Sequence, residues 1–182
     1  MPKRFRGILV GLSVIVEDLE ESRKLYSMGY YGKPIGVQKP KGPNFDAPLK
    51  LSILEALYLA ENGVLEVVDI NGNRVELEAL RRILGEMKKF ELLYKVYKDL
   101  RNRKLIARPG LKFGADFTVY RLGPGIDHAP YVVHVYEPEE AIDPVEIVRA
   151  GRLSHSVRKM FVMATPLRDE RILYLMFKWF KP

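Results

Sequence analysis

The apolar positions fall into short blocks separated by turn residues, and the period within the blocks changes along the chain. Residues 5–16 hold a nearly unbroken run, Gly7-Ile8-Leu9-Val10-Gly11-Leu12-Ser13-Val14-Ile15-Val16, whose β-branched side chains predict one buried strand. The run lacks a small-residue cleavage site and leads straight into Glu17-Asp18-Leu19-Glu20-Glu21, which argues against a signal core. Those acids suit the positive end of a short helix over 18–28. From Leu49 the period is helical, through Ile53, Leu54, Leu57 and Tyr58, and Asn62-Gly63 supplies the stop. Val64–Ile70 reads as a strand and Asn71-Gly72-Asn73 as a turn. Leu77, Leu80, Ile83 and Leu84 mark a further helix ending near Gly85.

A second series begins at Phe90, Leu93, Tyr94, Tyr97 and Leu100, the buried stripe of a helix whose outer face is lysine and arginine. Its end, Lys98-Asp99-Leu100-Arg101-Asn102-Arg103-Lys104, is expected to be a solvated basic face favoured by the helix dipole. Strands are predicted around 105–108, 115–121 and 131–137. Asp143-Pro144 combines an N-cap with a first-turn proline, so a helix is expected over about 144–156, before strands near 158–164 and 171–180. The expected fold class is α+β. A small mixed α/β domain over 1–85 precedes a C-terminal α/β domain over 86–182 with a mixed central sheet flanked by helices.

One stretch breaks the pattern. Residues 32–48 contain four prolines, three lysines and three glycines, too many backbone restrictions for regular structure. They predict a long loop over 33–48 carrying Lys33, Lys39 and Lys41, either a solvated linker or a functional segment.

Composition narrows the classes. The 182 residues suffice for one large domain or two small ones, and 47% are hydrophobic, ordinary for a chain with a real core. Thirty basic residues against 23 acidic ones leave a net charge of +7 and a pI near 9.5, favouring nucleic acid or an anionic surface as partner. The absence of cysteine excludes a disulfide framework, a thiolate zinc site and a cysteine nucleophile. None of the three histidines stands in a His-x-x-x-His pair, and no metal or cofactor is expected. No run reaches the roughly eighteen apolar residues of a spanning helix, so a soluble, cytoplasmic protein is expected.

Candidate chemistry concentrates in Phe113-Gly114-Ala115-Asp116-Phe117-Thr118-Val119-Tyr120-Arg121, followed by the turn Gly123-Pro124-Gly125 and His128. A tyrosine and a histidine flanking one hairpin can approach a common point, as an acid and a base must. As a base, tyrosine, which ordinarily titrates near pH ~10, needs positive charge nearby; Arg121, Lys159 and a bound cationic partner are the candidates. Packing and hydrogen bonding are the commoner duties of such a pair.

Three separated strings resemble the catalytic subunits of the tRNA-splicing endonuclease family. They are Tyr97-Lys98-Asp99-Leu100-Arg101-Asn102-Arg103 with Lys112 to Tyr120, then His128-Ala129-Pro130-Tyr131-Val132-Val133, then Arg149 to Lys159. The resemblance implies a nuclease domain that cleaves precursor tRNA at a bulge–helix–bulge without a metal. Attack by the 2′-hydroxyl would leave a 2′,3′-cyclic phosphate and a 5′-hydroxyl. It assigns Tyr120 as general base, His128 as general acid and Lys159 as the cation facing the charged phosphorane. It assigns Arg152 to a bulge nucleotide and makes Arg171 the candidate for a second such arginine. His134 and His155 take structural roles.

The loop resembles the insertion of crenarchaeal members, with Lys39 and Lys41 as candidate contacts to the RNA backbone. The family works as four such units, so a homotetramer or a two-plus-two heterotetramer with a structural subunit is implied, and the insertion favours the latter. The acidic turn at Asp169-Glu170 and the final strand from Ile172 to Phe177 are candidate contacts. Two rival readings are a non-catalytic RNA-binding or structural subunit, and a metal-dependent nuclease, which would need a carboxylate cluster. Removing residues 38–45 is expected to weaken RNA cleavage while sparing the fold; unchanged cleavage of every substrate would exclude a role for the loop.

Overall fold

The computed structural model describes residues 4–38, 40, 42–86 and 89–177. The chain forms two compact units, residues 1–90 and 91–182. None of the described helices is long and apolar enough to cross a membrane.

The first unit contains β1 (Phe5–Val10), β2 (Ser13–Val16), α1 (Leu19–Gly29), β3 (Lys33–Pro34), β4 (Leu49–Ser52), α2 (Ile53–Glu61), β5 (Leu65–Val68) and α3 (Leu77–Gly85). Its sheet runs β3-β4-β2-β1-β5, with β1 parallel to β5 and the other pairs antiparallel. The single strand expected over 5–16 is a hairpin. Gly11, at φ +57°, opens the two-residue turn that pairs Val10 with Ser13. Continuous hydrophobicity hid that turn, because neither Gly11 nor Leu12 is polar.

The helix expected from Leu49 starts four residues later. Leu49 and Leu51 are fully buried while Lys50 is exposed, so this segment follows the period of a strand. Ser52 then caps α2 in a capping box with Glu55. The Glu55 carboxylate accepts from Ser52 N at 2.9 Å, Ser52 Oγ at 2.8 Å and Gly32 N at 2.9 Å, although only 4% of the residue is exposed. One buried acid thus ties the start of α2 to the start of the Pro/Lys-rich loop.

That loop is not wholly irregular. Lys33 and Pro34 pair with β4, and Phe45 is buried edge-to-face on Tyr26, its carbonyl accepting from Arg23 Nε at 2.8 Å. A cut through 45 would remove part of the core, so a deletion that spares the fold must end before Phe45. Lys39 and Lys41 lie outside the described residues.

The second unit holds α4 (Phe90–Asn102), β6 (Ile106–Pro109), a 3-10 turn (Leu111–Phe113), β7 (Phe117–Tyr120), β8 (Tyr131–Val135), α5 (Pro144–Ser156), β9 (Met160–Pro166) and β10 (Ile172–Phe177). Its mixed sheet runs β10-β9-β8-β7-β6, and only β8 with β9 is parallel, joined by the α5 crossover. Ile147 and Ala150 of α5 pack on Val132, Phe161 and Met163. On the opposite sheet face Tyr97 of α4 meets Phe117, ring centroids 6.0 Å apart. The basic run at the end of α4 is not a uniformly solvated face. Arg101 is only 5% exposed, donating to Tyr97 Oη at 3.0 Å and to the Ala107 carbonyl at 3.1 Å.

Glu55→Ala removes the capping box and one acceptor of the buried Gly32 amide. It is expected to destabilise the N-terminal unit by about 2 kcal/mol, read as a lower urea midpoint in far-UV circular dichroism. A midpoint equal to that of the parent protein would show that the box is dispensable.

Candidate active site

Strand direction gathers the candidate residues. β7 ends at Tyr120, β8 begins at Tyr131 and β9 begins at Met160. With β7 antiparallel to β8 and β8 parallel to β9, these three ends lie at one end of the sheet. Lys159, just before β9, and the 121–130 loop therefore meet there.

The contact is direct. Lys159 Nζ donates to the carbonyl oxygen of Ala129 at 2.6 Å, and Ala129, 3% exposed, follows His128 in sequence. The same ammonium lies 4.9 Å from the ring centroid of Phe113, a cation–π distance. Burial pushes the Lys159 pKa below the usual lysine value, while the negative charge of Asp127 works the other way. His128 is exposed and Tyr120 half-buried.

Local sequence explains how Phe113 comes under the lysine. A Cβ on Gly110 would sit 2.7 Å from Ala115 O and 2.8 Å from Phe117 C, so only glycine lets the turn fold back on the strand. Gly114, at φ +61°, closes the 3-10 turn in the left-handed region. Phe113 then packs on the Val132, Phe161 and Met163 cluster. The reversal from α5 into β9 is made by Arg158, at φ +54°, whose amide donates to the His155 carbonyl at 3.0 Å. No glycine marks that turn, so its sequence carries no sign of the left-handed residue.

The Arg121 guanidinium is engaged by a different tyrosine: it bonds Tyr131 Oη and covers that ring. Tyr131 pairs with Val119, on the sheet face opposite Tyr120. Arg152 is exposed on α5, next to Gly151, which lines a groove of about 830 Å³ running past His155, Arg158, Lys159 and Phe177. Arg171 lies elsewhere. It pairs with Asp169, Nε to Oδ2 at 2.7 Å, in the turn before β10, whose Ile172 pairs with Pro166 at the far end of β9. Within one chain it does not join the cluster.

Two contributors went unrecognised in the sequence. Phe113 carries no chemical signal of its own. Asp127, before His128, accepts from three backbone amides of the 121–123 segment; an aspartate in a Gly/Pro-rich turn is the recognisable sign of such bonds. Among the described residues no group of three His, Cys, Asp or Glu side chains could hold a metal ion.

Comparison with known proteins identifies the family of the chain. The C-terminal catalytic domain of tRNA intron endonuclease matches residues 90–174, and the N-terminal domain of the same enzyme matches residues 5–81. The chain is 59% identical to a tRNA-splicing endonuclease of Hyperthermus butylicus over 179 residues, covering 97% of this chain and 99% of the relative. It is 50% identical to a tRNA-splicing endonuclease of Saccharolobus solfataricus, covering 97% of this chain and 98% of the relative. The chain belongs to the tRNA intron endonuclease family.

His134 stands apart from the site, its ring 5.1 Å from that of Phe161. Burial lowers its pKa, with Asp116 and Glu146 opposing. The unfolded chain thus holds that proton more tightly, so the stability His134 contributes is full above about pH 6.5 and is lost as pH falls towards the folded value. His134→Phe is expected to flatten the melting temperature against pH below about 6.5; an unchanged slope would remove His134 as its source.

Proposed function

We propose that the protein cleaves precursor tRNA at the bulge–helix–bulge of intron boundaries by metal-independent transesterification. The nucleophile belongs to the RNA. Tyr120, acting as its phenolate, takes the proton of the 2′-hydroxyl as that oxygen bonds the adjacent phosphorus, and becomes the neutral phenol. His128 gives a proton to the departing 5′-oxygen as the P–O5′ bond breaks. A 2′,3′-cyclic phosphate and a 5′-hydroxyl remain, and atoms balance without an added reactant. Lys159 stabilises the extra negative charge of the phosphorane, the task for which a fixed, partly desolvated cation is suited.

The observation that carries this reading is the Lys159 Nζ bond to the carbonyl of Ala129, beside His128 and at the sheet end where β7 delivers Tyr120. It uses one of three ammonium protons and leaves two directed donors for phosphate oxygens. Arg152, Lys39 and Lys41 contact the RNA, Arg152 by stacking on an unpaired base and the lysines along the backbone. The active form is a four-unit assembly, in the two-plus-two arrangement with a structural subunit. The support on this chain is an edge strand, β10, that exposes Leu173, Leu175 and Met176.

His128→Ala is expected to slow single-turnover cleavage of a bulge–helix–bulge RNA by about 10²–10⁴-fold, the usual size for lost acid–base catalysis, with RNA affinity unchanged. The parent protein, alone or with its partner subunit, should yield cyclic-phosphate ends in EDTA. Abolition by EDTA would overturn metal independence, and absence of cleavage in every assembly would overturn the enzymatic reading.

A further inference from the structure

The loop between Tyr120 and His128 is organised around one side chain that belongs to neither catalytic role. Asp127 Oδ1 accepts from Gly123 N at 2.7 Å, and its Oδ2 accepts from Arg121 N at 3.1 Å and Leu122 N at 3.3 Å. The backbone closes the same ring, with Ile126 N and Asp127 N each 3.1 Å from the Gly123 carbonyl. Gly123, at φ +137°, and Gly125, at φ +89°, adopt conformations that side chains resist, so the segment gives its backbone to this closure.

The inside-out character of the loop points the same way. Leu122 and Ile126 are 62% and 65% exposed, whereas the carboxylate is occupied by the loop's own amides. A loop built for burial would do the reverse. The first of the three amides belongs to the residue after Tyr120, and Asp127 itself precedes His128. On the far side, Ala129 is held by Lys159. The carboxyl is kept below the usual carboxylate range: burial opposes the charge, but the amides of Gly123, Leu122 and Arg121 outweigh it. It therefore accepts as an anion, the stronger form of such bonds.

Resting on the site assignment proposed above, we infer that Asp127 is a positioning residue, which fixes the reach from Tyr120 to His128 by gathering the amides of Arg121, Leu122 and Gly123 onto one carboxylate. Without it the eight-step connection from 120 to 128 loses its central tie, and the histidine is free to drift from the leaving oxygen. A displacement of about an ångström costs up to about 10²-fold in rate.

The test compares Asp127→Ala, Asp127→Asn and His128→Ala in the full chain, with its partner subunit wherever cleavage requires one. Single-turnover cleavage of a bulge–helix–bulge RNA is measured beside affinity for the same RNA with 2′-deoxy nucleotides at the cleavage points. Asp127→Ala is expected to cleave about 10²-fold more slowly with affinity unchanged. Asp127→Asn keeps one acceptor oxygen for the amides, and its rate is expected between those of the parent and the alanine variant. If Asp127→Ala cleaves at the parental rate while His128→Ala is slowed by about 10²–10⁴-fold, the positioning role is overturned and the site assignment stands. If His128→Ala also cleaves at the parental rate, the assignment itself has failed. Loss of affinity in proportion to rate would make Asp127 an RNA contact and overturn the inference. Should Asp127→Ala not fold, the asparagine variant decides: an intermediate rate supports the role and a parental rate overturns it.

Discussion

The hydrogen bond from Lys159 to the Ala129 carbonyl joins two segments 30 residues apart, and the site geometry depends on it. It requires β9 to start beside the entry to β8, which parallel pairing of Tyr131 with Met160 enforces. Parallel pairing requires a crossover, and α5 provides it by packing Ile147 and Ala150 on the sheet. The cation is partly taken out of water, which by itself disfavours its charge. A bond between a charged donor and a carbonyl is worth about 1.5–3 kcal/mol, and the Phe113 face adds a further attraction. Both contacts, with the negative charge of Asp127, offset part of the cost of that desolvation.

Beneath the lysine the supports are backbone constraints. Gly110 has no room for a Cβ, Gly114 takes a left-handed turn, and Phe113 is delivered onto the apolar cluster. On the opposite face, buried Arg101 does a comparable job, spanning Tyr97 and the Ala107 carbonyl to fasten the end of α4 to β6. Tyr174 extends that fastening outward, donating to Asp99 at 2.7 Å and so anchoring the edge strand β10. Burial and that carboxylate push the tyrosine pKa well up, which keeps its hydroxyl a donor at any ordinary pH.

Elements with a clear period and a polar boundary were legible in the amino-acid order: α1 behind Asp18, α3, the stripe of α4, and α5 behind Asp143-Pro144. Failures arose where two periods coincide or a turn is apolar. Leu49 and Ile53 are spaced for a helix, yet Leu49 and Leu51 alternate for a strand, and sheet pairing decided between them. Gly11-Leu12 carries no polar mark. Within the site, Tyr120 and His128 are visible because they flank one hairpin, whereas nothing local distinguishes Lys159 from other lysines. Its meaning lies in a contact made across a crossover, and only the likeness of the surrounding string to a known family pointed to it. Arg101 was misjudged for the same reason: a basic run reads as solvated until its partner on β6 is known.

The parallel pairing of β8 with β9 also orders events in time. Residues 120 and 128 leave the ribosome well before 159, and the lysine reaches them only after α5 has formed and folded back across the sheet. Contacts of such sequence separation come late, because their loop entropy must be met before they form. A nascent or truncated chain ending before Lys159 thus presents the tyrosine and histidine without the cation. On the site assignment proposed above, the site is therefore complete only with the finished sheet, and an unfinished copy of the chain lacks its cation.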